Sequence, residues 1–278
     1  MTMDFKAIVA DINELPPLSD ITRVVNSLYE NGAENVNILK LVKAIESDAA
    51  LSANILHMIN APYYGFSRKI ASISQAVTLF GTNLIYGLVI NYAIHSTIKA
   101  NVRPYAISND RFNAICHMQS ALMSQWYSKI DLHHAQYLAP LALIMESGKL
   151  VVSREVVKAG KIKEFAEGIK NAESTTIYEH ELFGSSSYYI SGLLFEHWNM
   201  EPLYVDILKG LDYEHKSVDK LNEYINTLDV VRTAVNVKDV FSEKSLQEAS
   251  ELVEEMGLMV DDFLKVAKRI KEKNESKS

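Results

Sequence analysis

Apolar residues recur along this chain at the spacing of a helical face. Ile21, Val24, Val25 and Leu28 stand at i, i+3, i+4 and i+7, which turns one stripe of a helix towards a core. Gly32 is placed to stop that helix. Ile38, Leu41, Val42 and Ile45 repeat the pattern behind Asn37, a suitable N-cap. Asp48 can cap a third helix carrying Leu51, Ile55, Met58 and Ile59, which Pro62 closes. Ser72 and Gln75 have capping-box spacing, predicting a short helix that ends at Gly81, after which Thr82 caps a longer one. Further helical patterns cover roughly 109–130, 135–153, 161–171, 185–199, 202–212, 217–241 and 245–272, with Pro202 at a first helical turn. No stretch alternates as a strand would, and no fixed period marks a solenoid, so a compact all-α, multi-helix body is predicted.

Composition supports that picture and narrows the partners. Of the 278 residues 48% are apolar and 23% charged, with eleven Gly and six Pro, which disfavours both disorder and a turn-rich β-fold. The net charge of −7 repels phosphate backbones and anionic lipid, so no nucleic-acid partner is expected. The most basic run, Lys265 to Lys273, is broken by Glu272 and reads as a solvated, fraying helix end. A single cysteine, Cys116, lies between Ile115 and His117 as a core residue would, and it excludes a disulfide framework or a multi-cysteine metal site. There is no basic-then-apolar leader with a small-residue cleavage site, and no stretch approaches the roughly 20 apolar residues of a membrane span. A cytoplasmic protein without membrane insertion is expected.

A series of motifs then carries a resemblance. Leu15-Pro16-Pro17-Leu18 is followed by Ile45-Glu46-Ser47-Asp48-Ala49-Ala50-Leu51, by Asn60-Ala61-Pro62-Tyr63-Tyr64-Gly65, by Ile70 to Val77 and by Leu79-Phe80-Gly81. Looser matches run through Tyr137-Leu138-Ala139, Gly148-Lys149-Leu150-Val151, Phe183-Gly184 and Trp198. In order and spacing the chain resembles the HD-related output domain family, HDOD. That resemblance implies an HD-like all-α fold in which an N-terminal helical lobe packs on a degenerate HD lobe, used by bacterial regulatory proteins without catalysis. The expected layout is a helical leader at 1–10, the domain at 11–210 with lobes near 11–100 and 108–210, and a C-terminal helical extension at 211–278 ending in a frayed charged tail.

HD enzymes, the relatives implied by the resemblance, hold divalent metal with imidazoles and a carboxylate, generating hydroxide and neutralising phosphate charge. Where the His-Asp doublet would stand, just before Gly148, this chain has Met145-Glu146. The upstream histidine position falls at Gln119 beside Ser120, and a downstream one near Ser187. A thioether is a poor ligand for a hard cation. The metal site is therefore expected to be degenerate at Gln119, Met145, Glu146 and Ser187, with no catalytic residue and no cofactor. Adjacent His133 and His134 diverge by about 100° on a helix and suit capping or solvent. His197, beside Trp198, reads as a packed or hydrogen-bonded histidine. Ser185-Ser186-Ser187 lacks a nucleophile-elbow setting, Cys116 has only His117 beside it, and no Gly-rich phosphate loop occurs.

The function expected from sequence is a non-enzymatic signal-transduction module that binds a protein partner, or a small ligand, in the cleft between the lobes. Tyr63 and Tyr64 are expected to pack between the lobes with their hydroxyls on polar partners, and with Arg68 and Lys69 they are the candidates for partner contact. The alternative is a divergent metal-dependent phosphohydrolase with displaced ligands drawn from His117, Glu146, His180 and His197. A helix-turn-helix reading of Ser72 to Tyr92 is disfavoured because its second helix, Asn83 to Ile90, is too apolar for a groove. The C-terminal helices have faces that suit either closure of the body or a homodimer.

Overall fold

The computed structural model describes residues 3–66, 68–212 and 219–275, and among them no β-strand occurs. Fifteen α-helices follow one another: α1 (Phe5–Asn13), α2 (Asp20–Ser27), α3 (Ile38–Glu46), α4 (Ala49–Ile59), α5 (Ile73–Ile98), α6 (Asn109–Trp126), α7 (Leu132–Ile144), α8 (Gly148–Lys158), α9 (Ile162–Asn171), α10 (Thr175–Phe183), α11 (Ser187–His197), α12 (Pro202–Gly210), α13 (Asn222–Ala234), α14 (Glu243–Glu255) and α15 (Val260–Glu275). The predicted helix starts at residues 217–218, the last tail residues 276–278 and the first two leader residues lie outside the described part.

Caps set the boundaries where the sequence indicated them. Asn37 accepts from the Lys40 N–H, Asp48 from Ala50 and Leu51, and Ser72 from Gln75, whose own side chain accepts from Ala71. Gly81 divides α5 where the sequence predicts it: its backbone, at φ 77° and ψ 165°, is non-helical and separates a short helix from a longer one, and the Thr82 carbonyl just beyond it accepts from the Tyr29 hydroxyl at 2.7 Å. Helix α2 stops at Ser27, short of Gly32, and the predicted 135–153 helix is broken by a 3₁₀ turn at Met145–Ser147. The 245–272 stretch is two helices, divided where Gly257 takes φ 70°. Helix α10 was not predicted.

Helices α2, α3 and α4 pack on α5, and α5 in turn crosses α7. At that crossing Gly87 approaches Pro140 so closely that a Cβ on it would lie 2.6 Å from the proline Cβ. Helix α5 has the length and mean hydropathy of a membrane-crossing helix, but Ile85, Leu88, Val89 and Ile90 are wholly buried within the protein, as in a core helix. The same burial removes the second helix of the helix-turn-helix reading from the surface. Both terminal helices pack on the body. Ile8 and Ile12 of α1 are buried against α8 and α11, and Asp11 pairs with Arg154 and Lys158. The charged tail is no fraying end as far as Glu275, because Phe263, Val266, Ala267 and Ile270 bury one face of α15 against α6 and α14.

Candidate functional site

The four positions at which the sequence reading expects a degenerate metal site come from three stretches of sequence and meet in the interior. Gln119 projects from the middle of α6, Met145 and Glu146 from the turn between α7 and α8, and Ser187 from the first turn of α11, and all four are fully buried. Glu146 Oε1 accepts from Gln119 Nε2 at 2.8 Å and from the Tyr188 hydroxyl at 3.1 Å, and Gln119 Nε2 also donates to the Val235 carbonyl at 2.8 Å. Glu146 Oε2 meets the ammonium of Lys149 at 2.6 Å, and the same ammonium donates to Ser187 Oγ at 2.8 Å. Lys149 Nζ lies 4.4 Å from the Tyr188 ring centre, and so does the Arg232 guanidinium. Below Ser187, Glu179 accepts from its N–H at 2.6 Å and from the Tyr105 hydroxyl at 2.7 Å.

Burial alone would push the Glu146 carboxyl up. Lys149 beside it, with the hydrogen bonds from Gln119 and Tyr188, instead holds it below the ordinary carboxylate value. Burial also works against charge on Lys149, and Glu146 outweighs it, so the ammonium loses its proton less readily than in water. The pair is a buried ion pair whose desolvation cost is offset by close geometry and by partners on the remaining atoms.

A divalent ion needs neutral imidazoles and free carboxylate oxygens. This cluster does not fit one. Both oxygens of Glu146 are engaged, Gln119 divides its amide donors between that carboxylate and the Val235 carbonyl, Ser187 accepts from Lys149, and an added ion would face an ammonium. The positive charge is supplied by the chain itself. His117 stands two positions before Gln119 but is hydrogen-bonded through Nδ1 to the Tyr64 hydroxyl at 3.1 Å. His180 is bound through Nε2 to Asp212 at 2.8 Å, and His197 through Nε2 to the Leu15 carbonyl at 3.2 Å. The displaced set His117, Glu146, His180 and His197 is not gathered, and among the described residues no three His, Cys, Asp or Glu side chains could hold an ion together.

The motif residues tie distant parts of the fold to one another. The Trp198 indole N–H donates to the Pro16 carbonyl next to the His197 contact on Leu15, which anchors the chain entry to α11. Asn60 bonds both the N–H and the carbonyl of Ile70, closing the loop that carries Tyr63 and Tyr64. The sequence profile of the HDOD domain matches residues 15–212. The chain belongs to the HDOD family. No curated protein sequence matches it. Solved structures share the HDOD architecture: a proposed phosphohydrolase from Shewanella amazonensis SB2B is 18% identical over 96% of this chain and 93% of its own, with a TM-score of 0.69. An HDOD domain protein of unknown function from Geobacter sulfurreducens is 18% identical over 97% and 99%, at TM-score 0.65. A proposed signal transduction protein from Marinobacter aquaeolei VT8 is 19% identical over 97% of this chain and 60% of its own, at TM-score 0.62. At these identities the likeness establishes the fold.

Around the HDOD interlobe turn the candidate contact residues separate. Tyr64 is buried and its hydroxyl meets His117 of α6, Tyr63 is half-buried, and Arg68 and Lys69 are exposed. Beside Tyr64 runs a groove of about 650 Å³ whose rim includes Ile38, Phe66, Leu79 and Leu132, all large apolar side chains open to solvent. His133 and His134 sit on the first turn of α7, where Asp131 caps the helix through the His134 N–H, and His134 Nδ1 meets Glu223 at 3.3 Å. Cys116 is buried, and burial pushes its thiol up. Ser186 caps α11 and donates to Asp212, so the serine run is structural. Sequence reading missed Lys149, Glu179, Tyr188 and Arg232 as members of the central cluster.

Proposed function

We propose that this HDOD chain is a non-enzymatic regulatory module of bacterial signalling that acts by binding a protein partner along the interlobe groove. The observation that carries the reading is Lys149: its ammonium lies between Glu146 and Ser187, two of the positions at which the HD ancestry calls for metal ligands. A cation fixed to the backbone can neither activate a water nor leave room for a phosphate and a metal. The apolar rim of Ile38, Phe66, Leu79 and Leu132 supplies the kind of surface that protein partners cover. Function then rests on which conformations the partner selects, not on turnover.

Elemental analysis of untagged protein purified without chelator, paired with a phosphoesterase screen in added manganese and magnesium, tests this. The expected result is no stoichiometric metal and no turnover. Metal-dependent hydrolysis that disappears in Glu146→Ala would overturn it and favour the divergent phosphohydrolase.

A further inference from the structure

On the other side of the Tyr63–Tyr64 turn, between α4, α5 and the start of α6, lies a second cavity of about 580 Å³. That is within the range of small-molecule sites. Its chemistry is unlike that of the groove. Among the described residues no lysine or arginine lines it, and Asp110, exposed at its edge, is the one carboxylate. The interior is made of imidazoles and amides, and these are under-used. Asn91 is only 6% exposed, yet its NH₂ meets nothing better than the Met58 sulfur at 3.9 Å. The Asn113 carbonyl oxygen is buried without a hydrogen-bond partner. A buried amide left without good partners costs about 1–3 kcal/mol, and both Asn91 and Asn113 line this cavity. One wall is aromatic: the Tyr63 and His117 rings lie within 13° of parallel with centres 6.4 Å apart.

We infer that this cavity binds an uncharged purine nucleoside of the adenine type. Each part of that ligand answers a feature of the cavity. An asparagine amide pairs with adenine in two bonds, accepting from the exocyclic amine and donating to the adjacent ring nitrogen, and Asn91 and Asn113 offer such amides. A flat base adds its face to a Tyr or His ring. The Asp110 carboxylate suits sugar hydroxyls, as acidic residues do in dinucleotide sites. The same carboxylate, with no cationic side chain lining the cavity, disfavours a phosphate, which separates the nucleoside from the nucleotide. Burial keeps His95 and His117 neutral down to about pH 4, so they too present hydrogen-bonding groups and not charges at neutral pH. The cavity is distinct from the Glu146–Lys149 cluster, so failure here leaves the non-enzymatic reading untouched.

The test is titration of the full chain with adenosine, uridine and adenosine monophosphate, read by calorimetry and by the shift of the unfolding midpoint. Adenosine is expected to bind saturably, with uridine and the monophosphate weaker by roughly tenfold or more. Asn91→Leu and Asn113→Leu should each weaken adenosine by roughly tenfold or more while unfolding cooperatively, because an apolar group of similar size removes an unsatisfied amide. If a variant fails to fold, the histidine ring proton resonances of the wild-type protein report instead: adenosine should move those of His57, His95 and His117, which line the cavity, before those of the other histidines. No adenosine binding up to its solubility limit, equal binding of uridine, or affinity unchanged in both variants would overturn the proposal.

Discussion

Lys149 has two roles that can be separated by substitution. Its ammonium compensates Glu146 and lies 5.6 and 4.4 Å from the Tyr105 and Tyr188 ring centres, and its stem fills buried space. Lys149→Met keeps the stem and removes the charge, leaving a buried carboxylate without a cation. A loss of about 3–5 kcal/mol in urea unfolding is expected. Adding Glu146→Gln preserves the oxygen that accepts from Gln119 and Tyr188 and removes the uncompensated charge, so the double variant should be clearly more stable than Lys149→Met alone. A double variant no better than the single one would show that packing and not charge holds this site.

At the level of elements, the crossing of α8 and α11 is set by one residue. A Cβ on Gly148 would lie 1.9 Å from the Ser187 carbonyl oxygen and 2.8 Å from the Ser191 nitrogen, both backbone atoms that cannot swing aside. The Gly148 N–H also donates to Ser191 Oγ at 2.7 Å. Gly148→Ala should therefore cost about 3 kcal/mol or more in chemical denaturation, far above the small gain alanine gives an unconstrained helix. Much of this architecture is legible from sequence because caps and apolar stripes act locally: Asn37, Asp48 and Ser72 start their helices where side-chain chemistry places them. Helix α10 was illegible for the opposite reason. Ile177 is exposed while Glu179 and His180 are buried beside Leu182 and Phe183, so its inward face mixes polar and apolar residues and shows no clean stripe. The substituted positions Gln119, Glu146 and Ser187 were readable by family spacing, but their partners were not. Arg232 and Val235 join from more than a hundred residues beyond Gln119, and nothing local to Lys149 distinguishes a buried lysine from a solvated one.

For the whole molecule, stability should fall on mild acidification. His117 is held neutral to about pH 4, chiefly by burial and then by the neighbouring His95 and His57, and burial lowers His95 to about 4 as well. Both folded-state values lie below the usual 6.5, so between about pH 6.5 and 4 the unfolded chain binds more protons and stability rises with pH. His117 alone accounts for up to roughly 3 kcal/mol over that window. His117→Gln, which still offers Tyr64 a hydrogen-bonding group, should lose less stability than wild type between pH 7 and 4.5 in urea titrations. Glu146 adds to the loss only at lower pH, because its carboxyl sits below the ordinary value. The Glu146–Lys149 pair behaves differently from a metal centre in one further respect. A bound ion is shared with its surroundings: it can be diluted away, exchanged or taken by a chelator, and the fold that needs it is then lost. A counter-ion carried on a side chain has no dissociated state, so chelator is expected to leave the unfolding midpoint of this protein unchanged, which thermal unfolding with and without EDTA checks.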